Sequence, residues 1–201
     1  MNKNTKEIPY AKFIKNDIAT FANDVDVLRN LIRYQNCPRL INESVAEHSF
    51  YVAIMVLKLR EYYNFDLEKA LKMALIHDIP ESFISDVPHN IKTANPDLSA
   101  ALEAAENKVI KTIFSPEAED MLNQFNSGST PEGLACQLAD IISVVLYSHD
   151  ELLVGNTKFN YIAIKAIARV KEVIGRLSPY INDGYTNDQI VNKINQIVNI
   201  Y

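Results

Sequence analysis

The sequence predicts an all-α fold, a single helical bundle of about seven or eight helices. Apolar residues recur at three- and four-residue spacing almost throughout, which is the period of an amphipathic helix. Only five of the 201 residues are glycine. No hairpin signal of the Asn-Gly type appears between alternating runs. Helices joined by short breaks are therefore expected along the whole chain.

Start signals and breaks divide the chain into these helices. Ser44 with Glu47 has the spacing of a capping box, as has Thr186 with Gln189. Breaks are expected at YYNF, DVPHN, FNSGSTPEG, VGNTKF and SPYINDG, which are rich in turn-forming residues. Two helices are expected to begin at the prolines of Asn95-Pro96 and Thr130-Pro131. The apolar stripes begin, in chain order, at Ile18, Val45, Leu67, Leu98, Leu134, Ile167 and Ile190.

Composition narrows the class of protein. The net charge of −5 provides no basic surface, which disfavours binding to duplex nucleic acid. No apolar run reaches the roughly 18 residues of a membrane span, so no membrane partner is expected. Cys37 and Cys136 form no CxxC pair, which favours a reduced, cytoplasmic setting. We expect one domain over residues 1–201, with its main motifs in 31–159 and C-terminal helices in 160–201.

Four polar residues in apolar surroundings have the chemistry to hold one cation: His48, His77, Asp78 and Asp140. His48 lies on the apolar stripe of its helix and should point inward. Two imidazoles and two carboxylates bring a charge of about −2, and such mixed ligands favour Mn, Fe, Co, Ni or Zn over Ca or Mg. Each residue alone also fits a hydrogen-bonded core position. Together they predict a metal centre.

A second His-Asp pair, His149-Asp150, is a different case. It follows Asp140 by nine residues in the same predicted helix. That spacing is roughly 13 Å along the axis and about half a turn out of phase. His149 therefore cannot share an ion with Asp140, and the polar stretch SHDELLVGN predicts a solvated helix end.

The motifs ESVAEHS, ALIHDIPESFISDVPHNIK and QLADIISVVLY resemble those of the HD-domain metal-dependent phosphohydrolases. Within these, the sequence most resembles the bacterial 5′-deoxynucleotidase (YfbR-like) branch, from about Leu31 to Phe159. The resemblance implies that the four residues above are the metal ligands. It also implies one divalent transition metal, namely Co, Mn or Zn, with Fe and Ni as further candidates.

The same resemblance implies roles for residues around the metal. Glu81 matches the catalytic acid/base carboxylate of the family, and Asp86 a carboxylate near the sugar and the reacting phosphate. Arg33 matches a phosphate-binding arginine, and Lys92 a second cation. For each of these four, a solvated charge or a structural ion pair is the alternative. Pro88 is expected to shape one wall of the pocket.

The sequence departs from the family pattern at three positions that concern substrate recognition. Tyr34 stands where the nucleotidases typically carry tryptophan; its ring would either stack on a base or pack within the protein. The stretch YQNCPRLIN adds Arg39 close to the predicted pocket. Gln137 stands where relatives often carry lysine. The reaction type is therefore better defined than the substrate.

Three functions remain as hypotheses. The leading one is a 5′-deoxynucleotidase that converts a deoxynucleoside monophosphate to deoxynucleoside and phosphate. The second keeps the site but releases triphosphate from a deoxynucleoside triphosphate such as dATP. The third is a non-catalytic helical nucleotide-binding module. The resemblance also implies a homodimer or a higher homo-oligomer, for which the C-terminal segment IVNKINQIVNIY is expected to supply apolar surface.

Overall fold

The protein is a bundle of α-helices in a computed structural model that describes residues 13–85 and 94–199. Within these ranges eight helices have nine or more residues, and one helical turn, α4, has four. They are α1 (Ile18–Asp26), α2 (Val45–Leu59), α3 (Leu67–Ile76), α4 (Glu81–Ile84), α5 (Pro96–Ile113), α6 (Pro116–Ser127), α7 (Pro131–Leu153), α8 (Asn160–Leu177) and α9 (Asn187–Asn195). The described residues form three isolated β-bridges and no sheet. The all-α prediction is confirmed.

The helices begin where the start signals predicted. At α2 the Ser44 hydroxyl accepts the backbone N–H of Glu47, and the Glu47 carboxylate accepts the backbone N–H of Ser44. The capping box predicted for α9 is also present. Helices α5 and α7 each carry the predicted proline in their first turn. These caps determine the residue at which each helix begins. In α2 the cap thereby determines how the side chains of the first turn are oriented.

Helix α7 is the central element of the bundle. Sixteen of its 23 residues are buried, including polar ones, and it packs against α2, α3, α6 and α8. The main hydrophobic core surrounds it with residues such as Val52, Val56, Met73, Leu138, Val145 and Val173. A polar side chain in the middle of α7 therefore faces other helices.

A second hydrophobic cluster lies between α5, α6 and the first turn of α2. It contains Val45, Ile76, Ile79, Ile113 and Phe114. His48 follows the Val45 of this cluster and precedes the Val52 of the main core by one turn. His77 and Asp78 lie between Ile76 and Ile79 in sequence. The predicted metal ligands are thus placed where the two clusters meet.

Helices α6 and α7 approach each other closely at Gly133, in the first turn of α7. A Cβ atom at this position would lie 2.3 Å from the backbone oxygen of Gln124 in α6, closer than any real contact. Glycine is therefore required here by the backbone of the neighbouring helix. This contact packs α7, the helix that carries Asp140, against α6, the helix that precedes it.

Two features of the helix surfaces differ from the expectation or complete it. Ile18, the first residue of the first apolar stripe, is 90% exposed, because α1 is a short helix at the edge of the bundle. Ile190 and Ile194 of α9 are buried within the chain, so these two side chains of the C-terminal segment pack on the core of the same chain. No described helix combines the length and the apolar character required to cross a bilayer.

Candidate metal centre and substrate cleft

Three helices bring the four predicted ligands together. His48 lies in the first turn of α2, His77 and Asp78 directly follow α3, and Asp140 lies in the middle of α7. Nε2 of His48 is 3.2 Å from Oδ1 of Asp140 and 3.5 Å from Oδ2 of Asp78. Nε2 of His77 is 3.1 Å from the same Asp78 oxygen. Atoms bound to one ion at about 2.1 Å have similar mutual separations of about 3 Å.

One atom of the cluster lacks a hydrogen bond among the described residues. Nδ1 of His77 lies 2.8 Å from the carbonyl of Ala74, to which its N–H donates. The lone pair of the ring is therefore on Nε2, which is buried and makes no hydrogen bond, although the Asp78 carboxylate is near. Histidines that bind metals commonly donate their other N–H to a backbone carbonyl in this way. The donor set fits a divalent ion.

The Nδ1 atom of His48 contacts two polar side chains, and these contacts could not be predicted from the sequence. Its Nδ1 lies 2.7 Å from Nη1 of Arg33 and 3.0 Å from the hydroxyl of Ser143. A guanidinium only donates, so Nδ1 accepts from Arg33 here and the ring proton lies on Nε2. If Nε2 held an ion, the proton would lie on Nδ1 and would donate to Ser143. Arg33 would then be released from the ring.

Arg33 is a largely buried cation beside the metal ligands. Its side chain is 14% exposed, and Nη1 pairs with the Glu43 carboxylate at 2.8 Å. Burial and the charge of Arg33 both lower the pKa of His48. His48 is therefore neutral at physiological pH, which is the form that binds a metal.

The two carboxylates of the cluster are ionised. Burial alone would raise the pKa of Asp78, but the positive charge that His77 carries when its Nε2 is protonated outweighs it and lowers that pKa strongly. Burial also opposes the charge of Asp140, and the hydrogen bond from His48 outweighs it and lowers the pKa of Asp140. Conversely, the Asp78 carboxylate overcomes the effect of burial and raises the pKa of His77. The site is thus an anionic pocket suited to a cation.

A cleft of about 140 Å³ opens beside two of the ligands. His77, Asp78 and Glu81 line it on one side, since Glu81 begins α4 three residues after Asp78. Glu106 of α5 and Phe125 of α6 line the other side, and the Phe125 ring packs its edge against His77 at 5.2 Å. Glu81 therefore shares a solvent-accessible space with the metal ligands.

Sequence reasoning missed two polar residues of this site. Ser143 follows Asp140 by three residues, so helical spacing alone could have indicated that both face His48. Glu106 stands in the charged run LEAAENK and carries no local signal. Its place in the cleft depends on how α5 packs against α4 and α6.

The segment from Arg33 to Glu43, here called the arginine loop, contains the other predicted substrate residues. Tyr34 has a φ of 56°, and its ring stacks on that of Tyr147 at 4.8 Å with 4° between the planes. Nη1 of Arg39 donates to the Tyr34 carbonyl at 3.3 Å, and its Nε donates to Asn42 at 3.1 Å. At least one face of the Tyr34 ring thus packs within the protein, and Arg39 stabilises the loop through these two hydrogen bonds.

Gln137, which stands where relatives often carry lysine, contacts the end of α6. Nε2 of Gln137 donates to the carbonyls of Phe125 and Asn126, so this residue provides hydrogen bonds to the last carbonyl groups of α6.

The prediction of a solvated His149 is wrong: the residue is 8% exposed, and only Asp150 of this pair faces water. The candidate ligand atoms that all lie within 4.8 Å of one another belong to His48, His77 and Asp78. Asp140 contacts this group at His48, whereas His149 is outside it. Asp86, Pro88 and Lys92 lie outside the described residues.

Residues 25–181 match the family model described as HD domain. This range covers most of the chain, and its paired His77-Asp78 lies in the metal cluster. The chain therefore belongs to the HD-domain family.

Individual relatives define the protein further. A 5′-deoxynucleotidase of Pasteurella multocida is 29% identical over 159 residues, which cover 71% of this chain and 79% of that protein. The crystal structure of the PH0347 protein from Pyrococcus horikoshii is 28% identical, with a TM-score of 0.74 over 90% of this chain and 99% of that one. These matches identify the protein as an HD-domain phosphohydrolase, a hydrolytic enzyme.

A more distant neighbour shares the fold alone. The HD phosphohydrolase DatZ of cyanophage S-2L, solved with dA and one catalytic Zn²⁺ ion, is 16% identical. Its TM-score is 0.65 over 89% of this chain and 96% of that one.

Proposed function

We propose that the protein is a metal-dependent 5′-deoxynucleotidase that hydrolyses a deoxynucleoside 5′-monophosphate to a deoxynucleoside and phosphate. The observation that carries this proposal is the partly buried His/His/Asp/Asp cluster, which has a buried imidazole nitrogen without a hydrogen bond and an arginine beside it. The Pasteurella relative named a 5′-deoxynucleotidase supports the substrate class, and the cyanophage neighbour bound dA.

His48, His77, Asp78 and Asp140 would hold one divalent transition metal, which we propose to be Co, Mn or Zn. When bound, such an ion supplies Lewis-acid activation of water and of a phosphoryl oxygen. The four side chains would hold the ion between α2, the residues that follow α3, and α7. The hydrogen bond from His77 to Ala74 and the contact between His48 and Ser143 orient both rings toward the shared point.

Arg33 would bind the phosphate of the substrate. Its guanidinium offers several donors in one plane, which suits a bidentate grip on phosphoryl oxygens. In the present arrangement its Nη1 pairs with the Glu43 carboxylate at 2.8 Å and lies 2.7 Å from Nδ1 of the predicted ligand His48. Turning from that ring toward the cluster would place its charge where the phosphate charge must be neutralised.

Glu81 would transfer a proton in the reaction. Its carboxylate lines the cleft with His77 and Asp78, so it borders the space in which substrate and water would lie. Asp86, Pro88 and Lys92 stay predictions for the sugar, the pocket wall and the phosphate. Tyr34 and Arg39, which both lie in the arginine loop, stay predictions as substrate contacts.

The test is a panel of deoxynucleotides incubated with the purified protein and Mn²⁺, Co²⁺ or Zn²⁺, with the products separated by chromatography. Orthophosphate and a deoxynucleoside from a monophosphate support the proposal. Inorganic triphosphate from a deoxynucleoside triphosphate would replace it with the triphosphohydrolase. Absence of turnover across the panel would favour the non-catalytic nucleotide-binding module.

We further propose a cytoplasmic homodimer or higher homo-oligomer. The two cysteines form no CxxC pair, which fits a reducing compartment. Light scattering of the purified protein at several concentrations measures the molar mass. A mass of one chain, about 22.7 kDa, at every concentration would refute the oligomer.

A further inference from the structure

We propose that Glu151 is a positioning residue that holds the arginine loop, and thereby Arg33, in place for the substrate. This inference rests on the proposed function, since it concerns how the same site binds a phosphate. Glu151 lies in the last turn of α7, eleven residues after the predicted metal ligand Asp140 in the same helix. Its side chain is fully buried, at 0% exposure.

The Glu151 carboxylate accepts hydrogen bonds from the backbone of the arginine loop. Oε1 lies 2.7 Å from the N–H of Ile41 and 2.9 Å from that of Leu40, and Oε2 lies 3.0 Å from the latter. Asn156 donates to the same carboxylate at 2.7 Å, and the single hydroxyl proton of Tyr147 is shared between this carboxylate at 3.1 Å and the Ile41 carbonyl at 2.7 Å. Burial opposes the charge, yet these donors lower the pKa of Glu151. A buried charge with this many donors is fully compensated.

Hydrogen bonds fix the arginine loop, together with the stacking of the Tyr34 ring on Tyr147. None of its residues from 34 to 43 is fully buried; Ile41 is half-buried and Leu40 is 66% exposed. The residues that contact Glu151 hold other parts of the loop too. Tyr147 donates to the Ile41 carbonyl at 2.7 Å, and Asn156 donates to the Pro38 carbonyl at 2.6 Å. Glu151 stands at the centre of this set, because it orients both of these donors.

One face of α7 connects the metal cluster to the loop. Asp140, Ser143, Tyr147 and Glu151 follow at spacings of three, four and four residues, which keeps them on the same side of a helix. Asp140 and Ser143 contact His48, while Tyr147 and Glu151 contact the loop. The helix thus sets the distance between the loop that carries Arg33 and the ligands near which a phosphate would bind. Tyr34, at a left-handed φ that few non-glycine residues adopt, also depends on this support.

The test is Glu151→Gln, in which the negative charge is lost and one of the two accepting oxygens becomes an NH2 group that can only donate, so the loop N–H groups keep a single neutral acceptor. For a deoxynucleoside monophosphate we expect KM to rise about tenfold, the effect of losing a buried charged hydrogen bond, with kcat and metal content nearly unchanged. Trypsin cleavage after Arg39, followed by mass spectrometry, should accelerate several-fold because the loop opens more often.

Glu132→Gln is the matched control. Glu132 is the other buried glutamate of α7, 8% exposed, and it accepts the backbone N–H of Asp66 at the start of α3 at 2.9 Å. This variant should lower thermal stability while KM and cleavage after Arg39 stay at wild-type values. If Glu151→Gln changes KM and cleavage no more than Glu132→Gln does, Glu151 only stabilises the fold and the proposal is overturned.

Two further measurements test the proposal if this variant does not fold or if the wild-type protein has no activity. If Glu151→Gln does not fold, Tyr147→Phe removes the hydroxyl that contacts both the Ile41 carbonyl and the Glu151 carboxylate, and it should raise KM and cleavage in the same direction. Unchanged values would overturn the proposal. If the wild-type protein hydrolyses no nucleotide, the proposed function fails. The cleavage assay still tests whether Glu151 holds the loop, since it requires no substrate.

Discussion

Replacing Gly133 by alanine should destabilise the protein, although the same change in an open helix stabilises. In Gly133→Ala the new Cβ would lie 2.3 Å from the backbone oxygen of Gln124, about 1 Å inside a normal contact. Backbone atoms of α6 cannot rotate away, so the two helices must separate. We expect a cost of about 3 kcal/mol from overpacking and a gain of about 1 kcal/mol from helix propensity. The net loss is about 2 kcal/mol.

Gly175 supplies the matched control within the same chain. It lies in the last turns of α8, where an added Cβ would meet no atom within 4 Å. Gly175→Ala should therefore show the propensity gain alone, up to about 1 kcal/mol of added stability. Denaturant unfolding measures both variants. For a chain of this size, Tm should fall by about 4–8 °C in Gly133→Ala and rise by about 2–4 °C in Gly175→Ala. A neutral or stabilising Gly133→Ala would refute the close approach of α6 and α7.

Three further predictions concern charged residues. Asp78→Ala should abolish both bound metal, measured by elemental analysis, and turnover; activity near the wild-type rate would refute the assigned site. Glu81→Ala should retain the metal and lose most of kcat, and loss of metal would show that its role was misassigned. Glu151 has a lowered pKa, so its stabilisation is complete above its usual pKa of 4.5 and is lost as the pH falls further. The difference in unfolding free energy between wild type and Glu151→Gln should therefore shrink on acidification, and a constant difference would contradict this.

Local rules sufficed to predict much of the fold and the metal cluster. Helical period placed His48 on an inward face, and the capping box at Ser44 fixed where α2 begins. His77 and Asp78 end an apolar run, and Asp140 interrupts another, so burial without a partner would be costly. These signals depend on neighbours within one or two turns, which the sequence displays directly.

Partners from distant segments could not be predicted in this way. Glu151 stands in the polar stretch SHDELLVGN, and the loop that covers it lies about 110 residues earlier in the chain. His149 was expected to be solvated for the same reason, since helical period shows which side of α7 it occupies but not what packs there. Arg33 matched a family position, yet its hold on Glu43 and His48 depends on how the arginine loop folds back along α2.

Because the four ligands come from three separate helices, the binding point exists only in the folded chain. An ion held there would favour the native state by mass action, by about 2.7 kcal/mol at a free concentration one hundred times its Kd. Resistance to heat and to proteases would then follow the supply of trace metal. A cell deprived of that metal would lose the enzyme to degradation as well as its turnover.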